Sequence, residues 1–104
     1  MLSVKPGVRV VGWRPEIVFA VQAAHSAYQA HGYDCIVTSG VEGTHSETSL
    51  HYPGSAADFR TNHVPEPLRA QIAKMIGEAL GEDFDVILES THLHVEFQPR
   101  KLVG

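Results

Sequence analysis

A single cysteine, Cys35, stands among the 104 residues, which excludes an internal disulfide framework and any cysteine-rich zinc site. It lies in an apolar run, where a thiol packs as a small hydrophobe more often than it serves as a nucleophile. Basic residues are also few, with 8 Lys+Arg against 12 Asp+Glu and a formal net charge of −4. The basic stripe that supplies most nucleic-acid affinity is missing, so no DNA or RNA partner is expected. No window approaches the ~20 apolar residues of a membrane-spanning helix, and no membrane partner is expected either. Residues 1–11 lack the charged start, apolar middle and small-residue cleavage site of a signal peptide, so synthesis in the cytoplasm is expected. With 43% hydrophobic and 19% charged residues, the composition is that of an ordinary packed protein. The length suits one core, since two cores would each be marginal; residues 1–104 are expected to form a single domain and a monomer.

What is abundant is histidine. There are seven, and four of them, His45, His51, His92 and His94, fall in two tight groups. The pattern around them predicts a small α+β domain. Residues 1–14, with Pro6 and Gly7 followed by Val8, Val10 and Val11, read as a lead-in segment with a short strand. Apolar positions Ile17, Val18, Val21, Ala24 and Tyr28 recur at helical spacing between Pro15 and Gly32, predicting a helix over 15–31. A β-branched run predicts a buried strand over 35–38. Residues 40–53 are polar and turn-rich and read as a functional loop. Residues 56–59 are apolar except for Asp58, which fits a strand whose acid points into a site. Leu68, Ile72, Met75, Ile76 and Leu80 place a second helix between the Pro65 and Pro67 punctuation and Gly81. Strands over 84–88 and 92–97 follow, the last alternating Leu93, Val95 and Phe97 with His92, His94 and Glu96. Helices set against a small, mostly antiparallel sheet make the fold α+β.

Two histidines at i and i+2 of a strand point the same way, about 6.5 to 7 Å apart. Alone, the His92-Leu93-His94 pair carries little weight. His51 and Asp58 add to it, because Gly54 between them permits a sharp reversal that brings a loop histidine and a strand aspartate together. Two imidazoles and a carboxylate form a three-ligand set for catalytic zinc, with the fourth position left for water. Such a site needs a general base. Glu89, just upstream of the histidine pair, is the nearest candidate; a solvated residue at a strand end is an equal alternative.

The segment Ser49-Leu50-His51-Tyr52-Pro53-Gly54-Ser55-Ala56-Ala57-Asp58 resembles the Ser-x-His-x-x-Gly-x-Ala-x-Asp signature of the zinc D-alanyl-D-alanine carboxypeptidase family. That family includes D-Ala-D-Ala dipeptidases and phage L-alanyl-D-glutamate endolysins. His45 to Tyr52, with Glu89-Ser90 and His92-Leu93-His94, also resembles the hedgehog signalling domain, a structural relative of these peptidases. The likeness spans residues 36–98. It implies that zinc is held by His51, Asp58 and His94, with Glu89 as the base. It further implies that His92 and His45 line the site and steady the bound water or the tetrahedral intermediate, and that Ser49 orients substrate or the ligand loop. In relatives whose base stands three residues before the zinc histidine, the third ligand corresponds to His92; in those with a His-x-His strand it corresponds to His94, which is the assignment taken here. Both need an irregular turn at Ser90-Thr91.

The resemblance implies a zinc metallopeptidase that hydrolyses bonds in peptidoglycan stem peptides or other small peptides. The absence of a signal peptide suits a phage-type lysin that reaches the cell wall by release, or a virion part. The alternative is a hedgehog-like binding module in which zinc holds the fold and catalysis is absent; an intracellular dipeptidase comes third. One feature departs from the peptidases, which commonly carry an arginine after the Ser-Gly pair to grip a substrate carboxylate. Here Ser39-Gly40 is followed by Val41-Glu42-Gly43, and Arg60 is the substitute candidate. His25 is read as structural or half-exposed and His31 as structural; His63 could reach the cleft, but a loop histidine more often faces solvent; Trp13 is read as a core or lid anchor.

Overall fold

The computed structural model describes residues 1–41 and 54–99. His45, Ser49 and His51, and most of the loop expected over 40–53, lie outside the described residues. The elements run β1 (Leu2–Val4), α1 (Pro15–Ala30), β2 (Cys35–Ser39), β3 (Ala56–Arg60), α2 (Glu66–Leu80), β4 (Phe84–Leu88) and β5 (His92–Phe97). The five strands form one sheet in the order β1-β2-β3-β5-β4. β1 and β2 are parallel, and the other neighbours are antiparallel. The α+β class expected from the sequence is the one observed.

Proline and glycine set the helix ends as their chemistry requires. Pro15 occupies the first turn of α1, and Arg14 before it is extended, at φ −67° and ψ 151°, because a proline ring disfavours helical backbone in the preceding residue. α2 starts beside Pro65 and Pro67 and stops at Gly81, whose φ of 85° suits a residue without Cβ. The lead-in segment holds the short strand expected of residues 1–14, at Leu2–Val4. The Lys5 N–H donates to Val37 O at 2.9 Å and the Cys35 N–H to Met1 O at 2.9 Å, so β1 exists by pairing with β2, a partner that local pattern does not reveal.

Both helices pack on one face of the sheet. α1 lies against β2, β3 and β5, and α2 lies against α1 and β4. Tyr28, Ile17, Ile72 and Ile76 from the helices meet Val37, Phe59, Leu93 and Val95 from the strands. Cys35 is buried in this core, and burial pushes its thiol up to about 12, which leaves no thiolate at neutral pH. Trp13 is half-buried against the same core and donates from Nε1 to Ala56 O at 3.1 Å, an anchoring role. Among the described residues no helix is long and apolar enough to cross a membrane.

Two irregularities prepare β3 for its side chains. Gly54 has φ 76°, and a Cβ there would collide with the Gly12 carbonyl oxygen. Gly54 is fastened to the start of α1, since the Arg14 N–H donates to Gly54 O at 3.0 Å. On the other side, the β2–β3 register passes from Val37↔Phe59 to Ser39↔Asp58. One extra residue of β2 therefore lies beside Asp58, a bulge that locally increases twist.

Candidate metal centre

Strand alternation sends Ala57, Phe59, Leu93 and Val95 into the core and Asp58, His92, His94 and Glu96 to the opposite face. The β3–β5 register sets Asp58 directly across from His94 and Arg60 across from His92. Asp58 Oδ1 lies 2.6 Å from His94 Nδ1, with both side chains largely buried. The other Asp58 oxygen, Oδ2, stands 3.9 Å from His92 Nε2. Two of the expected site histidines thus converge on the Asp58 carboxylate, and Asp58 and His94 are 36 positions apart in the chain.

His94 is held at both ring nitrogens. Its Nε2 donates to Glu96 Oε1 at 3.0 Å. The Asp58 hydrogen bond raises the His94 pKa from 6.5 to about 9; burial opposes the rise and the Glu96 contact adds to it. At neutral pH this is an imidazolium between two carboxylates, donating to each. His92 is more exposed, and its Nδ1 lies 3.1 Å from Thr91 Oγ1.

Glu89 stands in the hairpin between β4 and β5, where its backbone N–H donates to His92 O at 2.8 Å. Ser90 and Thr91 form the short connection between the two strands, whose register is regular up to Leu88↔Leu93. The Glu89 side chain is exposed, and neither Asp58 nor either histidine bonds it. Arg60 is half-buried on the same face as Asp58, and its backbone carbonyl accepts the Tyr28 hydroxyl at 2.8 Å.

Among the described residues no group of three His, Cys, Asp or Glu is arranged as a complete metal site. The described members of the expected ligand set are Asp58 and His94, and their chemistry fits a cation. A borderline-soft metal takes imidazole nitrogen and carboxylate oxygen together. Two ligands of one tetrahedral zinc stand about 3.3 Å apart, from bonds of about 2.0–2.1 Å, and the present 2.6 Å is the closer spacing of a proton shared by the same two atoms. Asp58 and His94, with His51, are the residues that would hold the metal.

Two residues differ from their sequence reading. Glu96 belongs to the site: it is 5% exposed, bonded to His94 at Oε1 and accepting from the Gln98 amide at Oε2. Its i+2 spacing from His94 was the available signal, but strict alternation assigns it only to the polar face. His63 is half-buried and lies outside the site. Its Nε2 donates to Asp34 O at 2.7 Å, and its ring stacks on Tyr28 at 6.0 Å and meets Tyr33 edge-on at 6.3 Å. It ties the segment after β3 to the turn after α1. His25 is half-buried on α1 and His31 caps that helix, in keeping with structural roles. Compared with known proteins, the chain matches no protein-family model and no curated protein sequence.

Proposed function

We propose that this chain is a zinc-dependent peptidase of the D-Ala-D-Ala carboxypeptidase type, acting on bacterial cell-wall peptides in the manner of a phage-type lysin. The observation that carries the reading is the meeting of Asp58, His94 and His92 on the face of two paired strands turned away from the helices. These residues belong to the motifs on which the family resemblance rests.

Held by His51, Asp58 and His94, zinc would supply Lewis acidity and a water with a pKa near 7. Glu89 takes a proton at its carboxylate and returns it to the departing amine. Its place in the hairpin sets it next to the strand that carries both histidines. His92, held near Asp58, donates from Nε2 toward the substrate carbonyl. His45 and Ser49 line the site and orient the peptide. Arg60, on the same face across from His92, receives a substrate carboxylate, replacing the arginine that Val41-Glu42-Gly43 lacks.

The test is digestion of purified peptidoglycan by zinc-loaded protein, with mass analysis of the fragments. Glu89→Gln is expected to keep zinc and lose ~10²-fold or more in turnover, the usual worth of a general base. Hydrolysis at the wild-type rate in this variant removes Glu89 from the role. A wild-type protein that binds zinc but cleaves neither peptidoglycan nor stem peptides is a binding module of the hedgehog kind.

A further inference from the structure

Resting on that reading of the site as a metal centre, we infer that Glu96 is a positioning residue. It fixes the His94 ring so that the proton stays on Nε2 and Nδ1 is the nitrogen presented to a divalent cation shared with Asp58.

An imidazole has two nitrogens, and the one that takes the metal is set by the hydrogen bond that the other makes. In His94 those two bonds are already divided: Nδ1 faces Asp58 Oδ1 at 2.6 Å and Nε2 faces Glu96 Oε1 at 3.0 Å. Asp58 is the carboxylate of the expected ligand set, so the nitrogen beside it is the one that can share its cation. Glu96 lies two residues along β5 on the same face, and its side chain reaches back to the far side of the ring.

Glu96 is also built to stay where it is. A carboxylate 5% exposed needs bonded partners to offset its desolvation. Gln98 donates to Oε2 while His94 occupies Oε1, so the group is held by both oxygens. The backbone beneath it is clamped by pairing with Ala56 on one side and Asp85 on the other. A carboxylate placed behind a ligand histidine fixes its tautomer and raises its basicity toward the metal. Substrate need not touch Glu96 for this effect.

The experiment has two readouts, neither of which is turnover. Ring-nitrogen NMR of the zinc-loaded wild-type protein is expected to show His94 with Nε2 protonated and Nδ1 bound to metal. Competition against a chromophoric chelator is expected to show zinc affinity ~10- to 100-fold weaker in Glu96→Ala, with Glu96→Gln between the two, because the amide keeps an acceptor oxygen but no charge. Zinc bound through Nε2 of His94 overturns the inference. So does affinity within about twofold of wild type in Glu96→Gln and Glu96→Ala, given the size expected for such partners. In both cases the metal-centre reading stands. A wild-type protein that retains no zinc overturns the inference and the reading together. If Glu96→Ala fails to fold, the wild-type tautomer and the near-isosteric Glu96→Gln decide.

Discussion

β3 and β5 share one hydrogen-bond ladder and present two unlike surfaces. Toward the helices lie Ala57, Phe59, Leu93 and Val95, each with no exposed surface. On the other face the same strands carry Asp58, Arg60, His92, His94 and Glu96. The first surface is held by non-directional burial, in which any well-fitting apolar neighbour serves. The second depends on matched charge and hydrogen bonding, in which each group is tolerable only because of a particular neighbour. Stability and chemistry are thus separated by a single residue step along each strand, and substitutions at adjacent positions should have different consequences.

The largest effect is expected on the core face. Phe59→Ala should cost about 3–5 kcal/mol, a large share of the ~5–15 kcal/mol typical of a domain, read as a fall in the denaturant midpoint. A loss under ~1 kcal/mol would show that the helices do not lean on this strand as described. On the polar face, the metal-free protein should be pH-sensitive through His94. Its pKa is raised in the folded state, so the stabilisation is fully present below 6.5 and is lost as pH rises through about 9. The rise corresponds to an upper bound on the order of 3 kcal/mol. Denaturation of metal-free protein between pH 6 and 10 measures it, and Asp58→Asn should flatten the profile, since the Asp58 bond is the largest cause.

Gly54→Ala tests the turn that leads into both faces at once. With φ 76° and no room beside the Gly12 carbonyl, the substitution should cost at least about 1 kcal/mol, and calorimetry would detect the shift. The smallest expected effect belongs to His92→Ala. That side chain is 34% exposed and 3.9 Å from Asp58, so stability should change by no more than about 0.5 kcal/mol and most of the zinc should be retained. Loss of the metal in His92→Ala, with retention in His94→Ala, would reverse the assignment of the third ligand.

The fold was legible where its determinants are local. β4 and β5 span the same residues as the strands read from the sequence, and both helix ends follow proline and glycine. Asp58 stood out as one acid between Ala57 and Phe59 in an apolar strand. Glu96 did not, because alternation shows that it leaves the core but not that Gln98 and His94 enclose it. His63 was misread for a similar reason: its partners Tyr28, Tyr33 and Asp34 are some 30 positions upstream.

The sequence by itself determined both helices, the four strands after α1 and the apolar side of the last of them, because periodicity and backbone restriction act over a few neighbouring residues. It also carried the ligand types and their spacing. Only the tertiary structure decided that β3 lies beside β5, in the register that puts Asp58 against His94, and that β1 pairs with β2. Strand order and register follow from how the apolar faces pack beneath the helices, and a shift of one residue would turn Asp58 into the core and Phe59 out of it.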